Sequence, residues 1–354
     1  MSGQEQQKNA GGRSSVARVA CKGVWKLFGD RADEALEAAR AENLSKDEIR
    51  ERFDCVLGVR DASFEVYEGE IFCIMGLSGS GKSTLVRHIN RLIDPTAGEI
   101  HIAGDRVDTM DEAALNALRA EKIGMVFQHM ALWPHRTLAE TVAFGLEVRG
   151  VPKAERRKKA IAALNDMELG DWVDSYPDEL SGGMQQRVGL ARALAADPDI
   201  LLMDEPFSAL DPLIRRQLQD QFLDLSRKLG KTTIFITHDL DEAIRMGDRI
   251  AIMKDGVIVQ TGTAEEIVTA PANDYVAAFV DNVPKGGFVT ADQIMEPATG
   301  TPPGRSIAAD TPLDEILATF AEDQAPLAVE KDGNTLGHVT VGDALQALGG
   351  KEDT

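Results

Sequence analysis

The chain has few of the features that mark secreted, membrane-spanning or nucleic-acid-binding proteins. Its 354 residues include only three cysteines, and Cys21, Cys55 and Cys73 show no CxxC spacing, so we expect a reducing compartment without disulfides or thiolate metal sites. No apolar run approaches the ~18–20 residues that a transmembrane helix needs, and the polar N-terminus lacks the apolar core of a signal peptide. Basic residues are in the minority, and the formal net charge of −20 argues against nucleic acid or anionic lipid as the principal partner. The acidity is most simply an aid to solubility rather than an acidic binding role.

A glycine-rich segment lies between an apolar run and the start of a helix. Residues 71–75 indicate a buried parallel strand, residues 76–83 read GLSGSGKS, and residues 84–89 indicate a helix start. Glycines at this spacing let backbone N–H groups surround a phosphate, and a helix N-terminus favours an anion. A glycine-rich turn with a chance Lys-Ser pair is the alternative, but the flanking strand and helix disfavour it. We therefore predict a P-loop in which Lys82 reaches the β- and γ-phosphates and the Ser83 hydroxyl binds Mg²⁺; its nucleotide-binding residues are Gly76, Ser78, Gly79, Ser80, Gly81, Lys82, Ser83 and Thr84.

Acidic and imidazole side chains follow two further apolar runs. Residues 200–203 indicate a strand that ends in Asp204 and Glu205, and residues 233–237 indicate another that ends in His238. Because open α/β sheets bind ligands at the carboxyl ends of their strands, we expect Asp204 to hold Mg²⁺, usually through water. Glu205 is then the candidate general base, or the group that positions the attacking water. An ordinary strand with an acidic turn is the alternative, and a lone His is more often structural, but the strand-end position of His238 favours a functional role.

Three other motifs resemble those of ABC-type ATPases. Residues 180–187, LSGGMQQR, look like the signature of that family, residues 208–211 match its D-loop, and Gln128 matches its Q-loop. The resemblance implies an α/β P-loop NTPase fold with ATP and Mg²⁺ as cofactors. It implies that Gln128 binds Mg²⁺ and acts in catalysis with Lys82 and Glu205, and that His238 is the switch histidine.

The same resemblance implies a homodimer. In that family two copies pair head to tail, so that each ATP lies between one P-loop and the signature of the other copy. A helix start behind the signature serine would be a second anion-binding N-terminus, which can close the site only from across a dimer interface. The residues that would bind the ATP of the other copy are Ser181, Gly182, Gly183 and Asp211.

Composition shifts divide the chain into segments. We predict a disordered tail over 1–17, an ABC ATPase domain over 18–280, a linker over 281–288 and a small α+β domain over 289–348. Within the ATPase domain we expect a helical insertion over 30–53, in which Ser45 and Glu48 form a capping box, and a helical subdomain over about 128–190. Phe28, just before the insertion, is the candidate for stacking on adenine, since ABC ATPases use an aromatic at this kind of site; packing in the core is the alternative.

The C-terminal segment resembles a single CBS motif, with a predicted order β–α–β–β–α. Two such motifs normally form one module, so one motif per chain implies pairing across the homodimer. In CBS modules the residues that match Thr340 and Asp343 often contact the ribose and phosphate of an adenosine nucleotide. A CBS shell without a ligand is the alternative.

The early insertion, the signature and the C-terminal motif together resemble the ATPases of quaternary-amine importers. The resemblance implies ATP-driven uptake of glycine betaine, choline or proline betaine, through a separate integral-membrane permease fed by a periplasmic or lipid-anchored binding protein. The subunit would then be peripheral, on the cytoplasmic face of the cell (inner) membrane. An importer of another small amine or amino acid, or a soluble ABC ATPase not coupled to transport, are the alternatives. Met130, Leu132 and Trp133 would line a groove for a permease helix, or would fill the core of the helical subdomain.

Overall fold

The structure is a computed structural model that describes residues 16–128, 130–208, 210–281, 283–297, 303–331 and 333–349. The chain divides into two compact units between Thr261 and Gly262. The predicted ATPase domain, 18–280, therefore runs past this division by 19 residues, from 262 to 280. Residues 1–15 of the predicted tail lie outside the described residues, and Ala17 already begins the first strand.

The first unit combines two sheets with helices on their faces. Its strands are β1 Ala17–Phe28, β2 Val56–Tyr67, β3 Ile71–Met75, β4 Ala97–Ile102, β5 Asp105–Arg106, β6 Ile123–Val126, β7 Ile200–Asp204, β8 Thr232–Thr237, β9 Arg249–Lys254 and β10 Val257–Gly262. Its helices are α1 Ala32–Glu42, α2 Lys46–Phe53, α3 Lys82–Ile89, α4 Glu112–Lys122, α5 Leu138–Val142, α6 Phe144–Val148, α7 Lys153–Asp166, α8 Gly182–Leu194, α9 Pro212–Leu229 and α10 Leu240–Met246.

A six-stranded sheet with the order β10-β9-β3-β8-β7-β6 forms the centre of this unit. The pairs β3–β8, β3–β9, β7–β8 and β6–β7 are parallel. Every residue of β3, β7 and β8 is buried, as expected for apolar runs covered on both faces. Met75 pairs with Thr237, and Asp204 pairs with Ile236. The three predicted strands therefore end side by side at one edge of the sheet.

An antiparallel sheet with the order β2-β1-β4-β5 packs against the central one. Phe64 on β2 stacks on Phe72 on β3, with ring centroids 5.2 Å apart. Leu85, Val86 and Ile89 of α3 bury their side chains in the same core. The helix that follows the P-loop is thus fixed between the two sheets by apolar contact.

Helices α1 and α2 form the insertion and have a core of their own against β1 and β2. Ile49 of α2 is fully buried there with Trp25, Leu27 and Leu57. The predicted capping box is present: the Ser45 hydroxyl accepts from the Glu48 N–H, and the Glu48 carboxylate accepts from the Ser45 N–H. The insertion is therefore a packed element of the ATPase unit.

Helices α5 to α8 pack on one another over the region predicted as a helical subdomain. Met130 is buried, and its side chain lies so close to Gly189 of α8 that a Cβ there would overlap the sulfur. Trp133 packs on Phe144, with ring centroids 4.5 Å apart. Leu132 is half-buried and lines, with Met130, a cleft of about 400 Å³. Met130 is therefore packed against α8 and also lines the cleft with Leu132, and Trp133 is half-buried against Phe144.

The second unit has a small sheet and a separate core. Its elements are α11 Ala264–Thr269, α12 Asp274–Val280, α13 Ala291–Ile294, β11 Glu296–Pro297, β12 Ser306–Ala308, α14 Leu313–Glu322, β13 Leu327–Lys331, β14 Asn334–Val339 and α15 Val341–Gly349. The sheet order is β11-β14-β13-β12, with β12–β13 parallel and the other pairs antiparallel. From β12 onward the elements follow the order predicted for a CBS motif; the CBS identity itself stays a prediction.

Thr340 and Asp343 bond to each other at the start of α15. The Asp343 carboxylate accepts from the Thr340 N–H at 2.8 Å and from the Thr340 hydroxyl at 2.7 Å, and the Asp343 N–H donates back to the hydroxyl at 3.3 Å. This arrangement works as a helix cap. It accounts for the Thr-x-x-Asp pattern on structural grounds.

All three cysteines are free and buried. Across the described residues, no helix combines the length and the apolar character required to span a bilayer.

The packing of the insertion generates a prediction for Ile49→Ala. Removing this fully buried side chain leaves a cavity, so the free energy of unfolding should fall by about 2–5 kcal/mol. Urea unfolding followed by tryptophan fluorescence measures it, because Trp25 lies in the same core. The control is Glu51→Ala on the exposed face of α2, which should change the value by no more than about 0.5 kcal/mol. Equal effects of the two variants would show that the insertion is not docked as described.

Candidate active site

The loop between β3 and α3 is pressed against neighbouring backbone. Gly76 has φ +154° and Gly81 has φ +102°, and an added Cβ would overlap the carbonyl oxygen of Met253 at the first position and that of Gly58 at the second. The Gly256 N–H, in the turn after β9, donates to the Ser80 carbonyl at 2.9 Å. Glycine is therefore required at these two positions by close approach as well as by φ.

Lys82 is held inside this loop. Its ammonium donates to the carbonyl oxygens of Gly76 at 2.7 Å and Leu77 at 3.2 Å, and the side chain is only 5% exposed. Burial lowers its pKa, and the charges of Glu205 and Asp204 oppose that shift. The cation thus lies where the N–H groups at the start of α3 lack intrahelical partners, an arrangement suited to a phosphate.

Ser83 and Asp204 place a hydroxyl oxygen and a carboxylate oxygen next to each other. The Ser83 hydroxyl donates to Asp204 Oδ1 at 2.9 Å, and Arg87 Nη2 lies 3.5 Å from Asp204 Oδ2. Hydroxyl and carboxylate oxygens are the ligands that Mg²⁺ prefers, with phosphate oxygens and water completing its shell. Among the described residues no group of three or more His, Cys, Asp or Glu is arranged to hold a metal. Because Mg²⁺ at phosphate sites is usually bound by one or two protein oxygens with phosphate oxygens and water, Ser83 and Asp204 would hold it together with the nucleotide.

The Glu205 carboxylate is the centre of the polar contacts. His238 Nδ1 lies 3.1 Å from its Oε2, Gln128 Nε2 donates to the same oxygen at 3.4 Å, and Lys82 Nζ lies 4.0 Å from Oε1. Glu205 has φ +47°, a left-handed conformation that costs a non-glycine residue roughly 1–3 kcal/mol. Its N–H donates to the Ile236 carbonyl of β8 at 3.2 Å. The backbone therefore directs this carboxylate to the P-loop at a cost in local stability.

These groups surround a polar cavity of about 530 Å³. The residues that line it are Leu77, Ser78, Gly79, Gly81, Lys82, Ser83, Thr84, Gln128, Glu205 and His238. The Ser80 hydroxyl is buried beside it without a hydrogen-bond partner. Nearly all of the predicted P-loop and catalytic residues thus meet in one place, with a cation, helix-start N–H groups and a carboxylate. This donor set fits a nucleoside triphosphate with Mg²⁺.

Comparisons with known proteins agree with this geometry. Residues 59–208 match the ABC transporter family. The glycine betaine transport ATP-binding protein OpuAA of Bacillus subtilis is 56% identical over 79% of this chain and 67% of its own. The glycine betaine/proline betaine transport system ATP-binding protein ProV of Escherichia coli is 47% identical over 94% and 82%. The glycine betaine/carnitine transport ATP-binding protein GbuA of Listeria monocytogenes is 42% identical over 95% and 99%.

This chain belongs to the ATP-binding subunits of ABC transporters.

Solved structures give the same result for the fold. A dimeric ATP-binding cassette in a post-hydrolysis state, bound to ADP and Pi, aligns with a TM-score of 0.59 and 33% identity. The alignment covers 70% of this chain and 98% of the cassette. The predicted α/β P-loop NTPase fold and the ATPase-subunit assignment are therefore confirmed.

The signature and D-loop of this ABC subunit lie outside the described lining of the cavity around the P-loop. Ser181 is the N-cap of α8 and accepts from the Met184 N–H at 3.4 Å, and the helix begins at Gly182. Asp211 is the N-cap of α9 and accepts from two N–H groups of its first turn. Ala209, within the predicted D-loop, lies outside the described residues. The helices α3 and α8 therefore both begin at glycine-containing turns, and the start of α8 is capped by the Ser181 side chain.

Phe28 lies at the end of β1 and is 39% exposed. A Cβ added to Gly58 would come within 2.8 Å of its ring and 3.4 Å of the Thr84 methyl group, so the ring and the P-loop helix face the same gap. Lys26 Nζ lies 5.0 Å from the ring centroid. The core-packing alternative does not describe this exposed side chain, which lies close to Gly58 and Thr84.

Arg215 links two parts of the site that the sequence analysis treated separately. It donates to the Leu210 carbonyl at 3.2 Å and pairs with Asp239 at 3.2 Å, directly after His238. The predicted D-loop and the residue that follows His238 are thus connected by one side chain. The sequence offered no signal for this contact, because an arginine in an amphipathic helix is ordinarily a surface residue.

The Ser83–Asp204 pair generates a prediction for Asp204→Asn. If this carboxylate holds Mg²⁺ through water, the substitution should weaken the apparent affinity for Mg²⁺. The Mg²⁺ concentration that gives half-maximal ATP hydrolysis should then rise by roughly 10–100-fold. Binding of ATP in EDTA should not weaken, because a negative charge near the phosphates has been removed.

A Mg²⁺ titration of hydrolysis, with nucleotide binding measured in EDTA, tests this expectation. The control is Asp199→Asn, an exposed acid that directly precedes the opposite end of the same strand. The magnesium role would be refuted if both variants had the Mg²⁺ dependence of the native protein.

Proposed function

We propose that this subunit hydrolyses ATP to drive uptake of glycine betaine, or of a related quaternary amine such as choline or proline betaine, through a separate permease. The observation that carries the proposal is the similarity, over most of both chains, to ATP-binding proteins of glycine betaine transport. An importer of another small amine keeps the same mechanism and is the alternative.

The P-loop residues have distinct tasks in this proposal. Lys82 and the helix-start N–H groups of α3 bind the β- and γ-phosphates, while Ser83, Asp204 and Gln128 hold Mg²⁺. Phe28 offers its exposed ring to adenine, beside Thr84. When bound, MgATP supplies the phosphoanhydride that is cleaved.

Glu205 is the proposed base in the chemical step. Its carboxylate accepts a proton from the attacking water, or orients that water for in-line attack. His238 and Gln128 are placed on the same carboxylate oxygen, so both can fix its orientation. Lys82, on the other oxygen, connects this carboxylate with the phosphate site.

A homodimer completes the site in this proposal. Ser181, Gly182, Gly183 and Asp211 of a second copy approach the bound phosphates, so that the start of α8 faces the start of α3. Neither Ser181 nor Asp211 lines the cavity around the P-loop of its own chain, which supports this arrangement, and the related cassette was solved as a dimer. ATP then favours the closed dimer, and hydrolysis releases it.

We expect Glu205→Gln to abolish turnover while ATP still binds. Loss of a general base costs typically 10²–10⁴-fold in rate, and ATP that is not cleaved should hold two copies together. Light scattering with ATP and Mg²⁺ should give the mass of a dimer. A monomer under these conditions would contradict the ATP-bridged pair.

The matched variant for this experiment is Ser181→Arg in the Glu205→Gln background. Ser181 is exposed and does not line the cavity around the P-loop of its own chain, so ATP binding should persist. The bulky cation should prevent closure and leave a monomer. Loss of nucleotide binding in this variant would contradict a site shared between two copies.

The remaining partners follow from transport. The solute passes through an integral-membrane permease and is delivered by a periplasmic or lipid-anchored binding protein, while this subunit works at the cytoplasmic face of the cell (inner) membrane. The C-terminal unit is proposed to regulate transport, with Thr340 and Asp343 as a candidate nucleotide contact if the CBS resemblance extends to ligand binding.

Uptake of labelled glycine betaine, choline and proline tests the cargo. Cells that carry the Glu205→Gln protein should lose uptake of one of these solutes, while cells with native protein retain it at low and high osmolarity. Unchanged uptake of all three would refute the proposed cargo and leave the ATPase intact. Asp343→Asn in the same cells should alter the dependence on osmolarity if the C-terminal unit is regulatory.

A further inference from the structure

We infer that the insertion contributes its own residue to the nucleotide site: Lys46, whose ammonium binds phosphate oxygens of the ATP held by the P-loop of the same chain. The inference rests on the ATP site of this subunit and adds a contact to it. It gives the insertion a part in nucleotide affinity as well as in packing.

The first step is the position of the ammonium. Lys46 Nζ lies 3.5 Å from the carbonyl oxygen of Gly79, which lines the nucleotide cavity. A hydrogen bond of this length on a half-buried lysine is weak, so it does little to hold the insertion in place. The lysine stem is flexible, and its ammonium can exchange this carbonyl for a phosphate oxygen.

The second step is the rigidity of the backbone that carries Lys46. The capping box of Ser45 and Glu48 fixes the first turn of α2, in which Lys46 is the first residue. Arg60 on β2 donates to the Leu44 carbonyl and to Asn43 Oδ1, both at 2.7 Å.

The backbone of Arg60 is also connected to the P-loop by hydrogen bonds. The Arg60 N–H donates to the Gly256 carbonyl at 2.8 Å, and the Gly256 N–H donates to the Ser80 carbonyl at 2.9 Å. A continuous chain of hydrogen bonds therefore runs from the insertion, through Arg60 and Gly256, to the phosphate-binding loop. The distance between Lys46 and that loop is set by the folded backbone.

The third step is charge. A lysine at the first position of a helix opposes the helix dipole, whose positive end favours acids there. Among the described residues no carboxylate forms an ion pair with Lys46, and the neighbouring Glu48 carboxylate accepts from the Ser45 N–H at 2.7 Å. A polyphosphate next to Gly79 would supply the missing negative charge.

Binding of a fluorescent ATP analogue to the full-length protein, with Mg²⁺, tests the inference. Lys46→Ala should raise the Kd roughly three- to tenfold, and Lys46→Arg should restore most of the affinity, because a long flexible cation is retained. The effect should shrink at high salt, since a partly exposed charge is screened. It should also be larger for ATP than for AMP, which lacks the phosphates bound by the P-loop.

The matched control is Arg50→Ala, which removes an exposed cation of the same sign from the same helix. Its Kd should remain that of the native protein, and all three variants should melt at the same temperature. An unchanged Kd in Lys46→Ala, or an equal rise in Arg50→Ala, would overturn the inference. The experiment does not involve the transported solute, so its failure is distinguishable from a failure of the uptake experiment.

Discussion

The parallel register of β3, β8 and β7 is the constraint on which the rest of the site depends. Because Met75 pairs with Thr237 and Asp204 with Ile236, the P-loop, the acidic pair and His238 leave the sheet at one edge. A slip of one residue would turn these side chains to the other face of the sheet. Complete burial of all three strands fixes the register, so apolar packing and catalytic geometry have the same origin.

At this edge of the sheet, the charge of Lys82 lies close to the opposite charges of Asp204 and Glu205. Lys82 is nearly buried, yet it lies between carbonyl oxygens and two carboxylates that offset its desolvation. Asp204 and Glu205 have different partners. Asp204 accepts from the Ser83 hydroxyl, whereas Glu205 contacts His238 and Gln128. The pocket is therefore preorganised for an anion with a metal ion, which is how phosphoryl-transfer sites reduce reorganisation during the reaction.

Local patterns predicted the parts of the structure whose causes are local. Apolar runs predicted β3, β7 and β8, and the spacing of Ser45 and Glu48 predicted the capping box. Contacts between distant segments had no such signal: the support of the P-loop by Gly58 and Gly256 depends on how β2 and the β9–β10 turn pack. Thr340 and Asp343 show a different limit, because the same spacing suits a helix cap and a ribose contact.

The left-handed backbone of Glu205 has a consequence for how this position can vary. Glycine or asparagine adopts φ +47° with less strain than glutamate, so either would relieve the backbone here while removing the carboxylate. Selection for an unstrained backbone alone would therefore replace glutamate at this position. Its presence at a strained turn marks a trade in which folding free energy is given up to keep a carboxylate directed at the phosphate site.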